Sequence, residues 1–148
     1  MAKDRATWKF THIGVVVRDL DQAIEYFQSL LGIGPFTPNA SEGVTDRKVH
    51  GKPAKIKLRG AGADLGSIKL EVLQPVEGNS VQKEFLDSKG EGINHIGFTV
   101  DNLEEEVKKL EERGFRAVST GKIPPNGGFA YMATDKVGGV MIELIQKI

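Results

Sequence analysis

Two short stretches of the chain repeat the same chemistry-bearing residues. "FTHIGVVVRDL" holds His12, and "INHIGFTVDNL", in the second half of the chain, holds His95. Further along each half, "SIKLEVLQ" and "GVMIELIQ" place Glu71 in the position that Glu143 takes in the second copy. Imidazole nitrogen and carboxylate oxygen are typical ligands of divalent transition metals. If the fold brings these four side chains to one surface, they form a metal-ligand set.

Strand periodicity decides which way the four side chains point. The apolar residues of "FTHIGVVV" alternate with His12, and those of "SIKLEVLQ" alternate with Glu71. Successive side chains of a strand lie on opposite faces of the sheet. The second copy repeats this pattern around His95 and Glu143. We therefore expect all four side chains on the sheet face that points away from the helices.

A helix is predicted after each of the two repeated strands. "DLDQAIEYFQSLLG" has a 3.6-residue apolar period, with Asp19 as N-cap and Gly32 after the last turn. "NLEEEVKKLEERG" has Asn102 as N-cap and Gly114 as its stop. The apolar stripe predicted for the first helix is Leu20, Ala23, Ile24, Phe27, Leu30 and Leu31.

Three further strands are predicted in each half. They are "VTDRKVH", "AKIKLRGA" and "SIKLEVLQ" in the first half, and "RAVSTG", "GFAYMATD" and "GVMIELIQ" in the second. The pattern predicts an α+β fold in which two βαβββ modules form a curved mixed sheet around a metal site, with the helices on the outer face. We predict one domain over 1–148, with module one at about 8–75, a linker helix at about 80–89 and module two at about 92–147.

Composition excludes several classes of function. The chain has 20 basic and 20 acidic residues and no long basic stripe, which argues against nucleic acid or a membrane surface as partner. It contains no cysteine, so disulfides and thiolate ligands are excluded. The start "MAKDRATWKF" has no apolar signal core, and no apolar run reaches membrane-spanning length. These features predict a cytoplasmic protein.

The order His-Glu-His-Glu resembles the vicinal oxygen chelate superfamily, which includes glyoxalases, bleomycin resistance proteins and dioxygenases. Members pair βαβββ modules around one metal, with a His in the first strand of a module and a Glu in the last. The matching positions here are His12, Glu71, His95 and Glu143, and the resemblance covers nearly the whole chain. It implies one divalent metal ion (Co, Ni, Mn, Zn or Fe) at these residues, and a homodimer.

Within that superfamily, the block "LQPVEGNSVQKEFLDSKGEGINHIGFTVDNLEE" is most similar to methylmalonyl-CoA epimerase-like members. The resemblance implies an epimerase or isomerase that abstracts a proton α to a carbonyl through a metal-stabilised enolate, with an acyl-CoA as the small-molecule substrate. Those members commonly have Gln where this chain has Glu71. A glyoxalase I-like lyase acting on a thiol adduct is therefore one alternative, and a metal-free antibiotic-binding protein of the same fold is another.

Glu71 and Glu143 are also the predicted catalytic carboxylates. Epimerases of this type are thought to use a further acid on a strand of module one, but "GKPAKIKLRGA" offers none. This leaves the two glutamates as the groups that can move a proton.

Other residues are weaker candidates for the pocket. His50 has no counterpart in the second half and is considered as a pocket residue. The basic residues Lys55, Lys57 and Arg59 alternate on one strand face. They could meet acyl-CoA phosphates or form a solvated outer face. Phe129 and Tyr131, after "PPNGG", could line the pocket under a loop or follow a simple tight connection.

Overall fold

The structure, a computed structural model, describes residues 8–39 and 43–148. Within these ranges it has ten strands in one sheet and three α-helices. The strands are β1 Lys9–Val16, β2 Thr37–Pro38, β3 Thr45–Val49, β4 Lys52–Pro53, β5 Lys57–Leu65, β6 Ile68–Glu77, β7 Gly92–Thr99, β8 Ala117–Ile123, β9 Gly127–Met132 and β10 Met141–Gln146. The helices are α1 Leu20–Glu25, α2 Val81–Lys89 and α3 Leu103–Glu112. Residues 1–7 and 40–42 lie outside the described residues. The predicted domain 1–148 includes both segments, and the predicted module 8–75 includes the second.

The sheet is mixed, and its centre holds the repeated strands. The strand order is β2-β5-β6-β1-β7-β10-β9-β8-β3-β4. β1 pairs antiparallel with β7, while β6 and β10 pair parallel with β1 and β7 respectively. The two His-bearing strands are therefore flanked by the two Glu-bearing strands, and the predicted α+β class is confirmed.

Two apolar clusters cover the face of the sheet that packs against α1 and α3. The cluster beside α1 includes Leu20 and Val72, and the cluster beside α3 includes Leu110 and Leu144. Val72 follows Glu71 directly in the chain, and Leu144 follows Glu143 in the same way. Because neighbouring strand residues point to opposite faces, burial of the leucine and valine directs both glutamates away from α1 and α3.

The helix starts follow the predicted capping pattern. Asp19 accepts a hydrogen bond from the Gln22 amide at 3.0 Å, and Asn102 accepts one from the Glu105 amide at 3.1 Å. Each side chain satisfies a backbone donor that has no partner within the helix.

No helix in the described ranges is both long and apolar enough to cross a membrane.

The end of the first helix differs from the prediction. After α1 the chain makes a π-helical turn over Tyr26–Leu30 before it ends at Gly32, which has φ +70°. The wider turn shifts the angular position of the following side chains. Leu30 is consequently 74% exposed and Leu31 50% exposed, so the prediction that both face the core was wrong.

The hairpin of β3 and β4 joins the second half of the sheet. "VTDRKVH" forms a strand as predicted, and β3 pairs antiparallel with β8. The edge of β5 pairs with β2, through Thr37 opposite Gly62. The hairpin therefore forms the edge of the sheet beside the second-half strands.

Candidate metal centre

Four predicted residues meet at the centre of the sheet. His12 Nε2 lies 3.1 Å from His95 Nε2, and Glu143 Oε1 lies 3.0 Å and 3.4 Å from these two nitrogens. Glu71 Oε1 lies 3.4 Å from His95 Nε2 and 3.8 Å from His12 Nε2. His12, His95 and Glu143 are buried, and Glu71 is partly buried. We refer to these four residues as the quartet.

The glycine of each His-Ile-Gly motif makes room for the histidine of the other copy. In the β1–β7 pair, His12 lies opposite Gly97 and His95 opposite Gly14. A Cβ atom added to Gly97 would lie 2.0 Å from His12 Cε1, and one added to Gly14 would lie 2.0 Å from His95 Cε1. Only glycine permits the rings to lie over the neighbouring backbone at this distance. The repeated glycine was a sequence signal for this contact, but sequence reasoning did not interpret it.

The residue before each histidine fixes the imidazole tautomer. The Thr11 hydroxyl donates to the Gly97 carbonyl at 3.2 Å, so it accepts from His12 Nδ1, 3.1 Å away. His95 Nδ1 donates to Asn94 Oδ1 at 2.9 Å. In the neutral form of each ring, the Nε2 lone pair is therefore directed to the centre of the quartet. Sequence reasoning missed Thr11 and Asn94, whose signal was a polar residue directly before each His.

Glu71 is held by a neighbour that sequence reasoning also missed. Asn39 Nδ2 donates to Glu71 Oε2 at 2.9 Å. Burial alone would raise the pKa of Glu71, but hydrogen bonding and positive charge from His95, the charge of His12 and the Asn39 hydrogen bond lower it. Glu71 is therefore an ionised carboxylate whose Oε1 faces the histidines.

Glu143 has Tyr131 as its cross-strand neighbour. The two lie opposite each other in the β9–β10 pair, and the Tyr131 ring packs edge-on against His95 at 4.9 Å. Burial, the negative charges of Glu143 and Glu71, and a hydrogen bond to Glu143 together raise the pKa of Tyr131 well above its ordinary value. Tyr131 is therefore a neutral phenol that donates to Glu143.

The electrostatics of the quartet favour a cation. Burial lowers the pKa of His12, but the hydrogen bond to Glu143 and the charges of Glu143 and Glu71 outweigh it and raise the pKa above 6.5. Once His12 loses this proton, two imidazole lone pairs and two carboxylates face each other and repel unless other positive charge lies between them.

The spacing of the quartet also fits a metal ion. Metal–ligand distances of roughly 2.0–2.1 Å place neighbouring ligand atoms about 2.9–3.4 Å apart in octahedral or tetrahedral geometry. The separations among His12, His95 and Glu143 run from 3.0 Å to 3.4 Å, and the ligand atoms of these three residues all lie within 4.8 Å of one another. Glu71 stands beside this group, with its Oε1 3.4 Å from His95 Nε2 and 3.8 Å from His12 Nε2. The donor set and the distances therefore both suit a divalent ion.

A cavity of about 300 Å³ opens onto the quartet. Phe129 and Tyr131 line it, and the connection before them is the tight Pro124–Asn126 turn between β8 and β9, so each of the two alternatives considered for this segment holds in part. Among the described residues that line the cavity, Glu71 and Glu143 are the only acids. This agrees with the absence of an acid in "GKPAKIKLRGA", whose Ile56 and Leu58 form part of the apolar wall.

The remaining candidates lie elsewhere. His50, which was considered as a pocket residue, lines a separate cavity of about 210 Å³ and pairs with Glu84 at 3.0 Å. The side chains of Lys55, Lys57 and Arg59 are exposed. Arg59 pairs with Asp21 at 3.0 Å, as expected of a solvated outer face.

Comparison with known proteins adds relatives of two kinds. The chain is 26% identical to the uncharacterized protein YqjC of Bacillus subtilis (strain 168) over 142 residues, which cover 93% of this chain and 91% of the relative. It is 29% identical to the mitochondrial methylmalonyl-CoA epimerase of Bos taurus over 143 residues, covering 93% of this chain and 74% of the relative.

The fold matches solved structures. A methylmalonyl-CoA epimerase variant of Streptomyces coelicolor in complex with 2-nitronate-propionyl-CoA superposes with a TM-score of 0.68 at 21% identity, covering 94% of this chain and 96% of that one. A family model described as the Glyoxalase/Bleomycin resistance protein/Dioxygenase superfamily matches residues 11–134. Since this match spans most of the sequence and its fold agrees, the chain belongs to the glyoxalase/bleomycin resistance protein/dioxygenase superfamily.

Proposed function

We propose that this protein is a metal-dependent epimerase or isomerase that abstracts a proton α to a carbonyl, in a reaction like that of methylmalonyl-CoA epimerase. The observation that carries the proposal is the quartet, with its ligand-like spacing in a cavity whose wall includes Ile56, Leu58 and Phe129. The similarity to methylmalonyl-CoA epimerases over 93% of the chain supports it. The proposed substrate is an acyl-CoA, and the proposed location is the cytoplasm.

His12, His95, Glu143 and Glu71 would hold one divalent ion of Co, Ni, Mn, Zn or Fe. A bound metal ion supplies Lewis-acid stabilisation of negative charge that develops on a carbonyl oxygen. The two histidines bind as neutral imidazoles because Thr11 and Asn94 keep the protons on Nδ1.

The glutamates of the quartet would move the substrate proton. Glu143 is stabilised by the hydrogen bond from Tyr131, and Glu71 by the one from Asn39. One carboxylate takes the proton next to the carbonyl, and return of a proton to the opposite face of the carbon gives the epimer.

The test is exchange of the α-proton in deuterated water. With the metal-loaded protein and methylmalonyl-CoA, we expect deuterium at the α-carbon and interconversion of the two epimers, measured by NMR. Purified protein should contain about one divalent ion per chain, and His12→Ala and His95→Ala should remove both the metal and the exchange. Metal-free protein that binds a small molecule, with no effect of chelator, would support the metal-free reading instead.

A glyoxalase I-like lyase is the second candidate, and Glu71 favours it. The pKa of Glu71 is lowered, so the quartet has a second ionised carboxylate at this position besides Glu143. The hemithioacetal of methylglyoxal and glutathione serves as the test substrate. Turnover of this adduct without exchange of methylmalonyl-CoA would replace the epimerase proposal with the lyase.

The proposed assembly is a homodimer. Tyr26, Leu30 and Leu31 are all at least half exposed on one helical segment, and such apolar exposure is typical of an interaction surface. Light scattering should give twice the 16.1 kDa mass of one chain, and a mass of one chain would exclude the dimer.

A further inference from the structure

Arg47 lies on the wall of the site cavity, on the same hairpin that crosses to the second-half strands. It sits on β3, where the pairing with β8 shifts register between Thr45 and Lys48. An irregularity of this kind changes the direction of the side chains next to it. The side chain is partly buried and lines the cavity together with the quartet.

The guanidinium group of Arg47 has no carboxylate partner among the described residues. It contacts the ring of Phe129, with Cζ 5.8 Å from the ring centroid. Burial lowers the pKa of Arg47, with Tyr131 opposing this shift. The charge is therefore partly desolvated without a counter-ion, which is unfavourable until an anion binds.

The charge balance of the cavity also favours an anionic ligand. The carboxylates of Glu71 and Glu143 together neutralise one divalent ion, so Arg47 leaves the loaded cavity with one net positive charge. The wall formed by Ile56 and Leu58 is apolar and contributes no charge. A loaded cavity of this kind favours a ligand with a negative charge.

A buried amide also lines the cavity. Gln82 is 1% exposed, and its Oε1 has no hydrogen-bond partner among the described residues. Buried polar atoms of folded proteins are nearly always hydrogen-bonded. A hydrogen-bond donor on a bound ligand would satisfy Gln82 Oε1, whereas Arg47 requires an acceptor.

We propose that Arg47 binds a carboxylate group of the substrate at the wall of the cavity. Arg47 lines the same cavity of about 300 Å³ as His12, Glu71 and Glu143, so it lies beside the reacting acyl end of a ligand, which a carboxylate fits. The planar guanidinium matches a carboxylate with two parallel hydrogen bonds. The inference rests on the proposed function only in placing the reacting carbonyl at the quartet, and it narrows the substrate to acyl compounds with a free carboxylate.

The experiment compares 2-oxo acids that share one head group. 2-Oxopentanoate and 2-oxoglutarate differ only in a terminal methyl or carboxylate, and 2-oxohexanoate and 2-oxoadipate form a longer pair. Calorimetry on the metal-loaded protein should show binding of a carboxylate-ended acid about tenfold tighter or more than its methyl-ended counterpart. Arg47→Met should remove this preference and leave the binding of the methyl-ended acids unchanged.

The control variant is Arg59→Met, which removes the same charge from the exposed outer face and should keep the preference. Arg47→Lys keeps the charge but lacks the planar guanidinium group, so it should lose part of the preference for carboxylate-ended acids. If Arg47→Met does not fold, phenylglyoxal labelling of the unmodified protein replaces it. 2-Oxoglutarate, and not 2-oxopentanoate, should then protect Arg47, as read by peptide mass spectrometry.

Three results would overturn the proposal. They are the absence of a preference in both pairs, an equal loss for both members of a pair in Arg47→Met, and a selective loss of adenosine 3′,5′-bisphosphate binding in that variant. The last result would assign Arg47 to coenzyme A phosphate. These binding results do not depend on α-proton exchange, so failure of the proposed reaction and failure of this inference are separate outcomes.

Discussion

At the scale of single residues, the histidines depend on the side chains that precede them. Thr11 and Asn94 each accept a hydrogen bond from a histidine Nδ1, and the two Nε2 atoms lie 3.1 Å apart. The sequence predicted His12 and His95 because both occur at matched strand positions. It did not predict their partners, because the rotation of a ring and the hydrogen bond that fixes it depend on the packed neighbours.

Asn94 provides the first prediction. Asn94→Leu removes the acceptor for His95 Nδ1, so the ring loses its fixed tautomer, and the affinity for a divalent ion should fall by about 10- to 100-fold. Asn94→Asp keeps the acceptor and should stay close to the original affinity. Competition with a chromogenic chelator measures both. Equal affinities in Asn94→Leu and the unmodified protein would show that the hydrogen bond does not position the ring.

The raised pKa of His12 predicts an unusual pH dependence. Its folded-state pKa lies above 6.5, so its stabilising contribution to the metal-free protein is complete below pH 6.5 and is lost as pH rises through the raised value. The melting temperature of chelator-treated protein should therefore fall over this interval, while metal affinity rises because the proton no longer competes.

Two variants check this pH assignment. His12→Gln should flatten the trend in melting temperature, whereas His50→Gln, which lies outside the quartet, should keep it. A melting temperature of the metal-free protein that rises above pH 6.5 would contradict the assignment.

At the scale of elements, the site depends on how closely β1 and β7 approach each other. The predicted strand faces were correct, because period-two alternation is a local property that the sequence states directly. The partner of β3 and the π-helical turn at Tyr26–Leu30 were not predicted. Strand pairing over long separations and the phase of a helix end are decided by tertiary packing, which the local pattern does not contain.

Gly97→Ala tests the approach of the two central strands. The new Cβ would lie 2.0 Å from His12 Cε1, so the ring must move away from the quartet. We expect metal affinity to fall at least about tenfold, and the free energy of unfolding to fall by about 1–3 kcal/mol, measured by urea titration. Gly62→Ala is the matched control, because its Cβ would meet only the flexible Lys69 chain. Unchanged metal affinity in Gly97→Ala would contradict the close approach.

At the scale of the whole molecule, the hairpin from the first half completes the core of the second. Val49 of β3 packs with Val118 and Tyr131 in an apolar cluster. The same hairpin supplies Arg47 to the cavity, so both halves of the chain build its walls. The repeat in the sequence predicted the paired modules but not this crossing. The local pattern of "VTDRKVH" predicts a strand and does not determine which strand it pairs with.

Val49→Ala measures the contribution of the crossing to stability. It removes about two buried carbon groups, so the free energy of unfolding should fall by about 2 kcal/mol. Val137→Ala, at a side chain 84% exposed, should change it by less than about 0.5 kcal/mol. Chemical denaturation of both variants gives the comparison. An effect of Val49→Ala as small as that of Val137→Ala would show that the hairpin packs loosely.

The reciprocal fit of each histidine over the glycine of the other repeat makes the β1–β7 contact self-complementary. The same surface faces itself, as in the interfaces of C2 oligomers. A half-length chain with one His-Ile-Gly and one glutamate would find its missing two ligands, and the glycine that its histidine requires, in a second copy of itself. The single chain thus encloses an arrangement that two identical short chains could assemble.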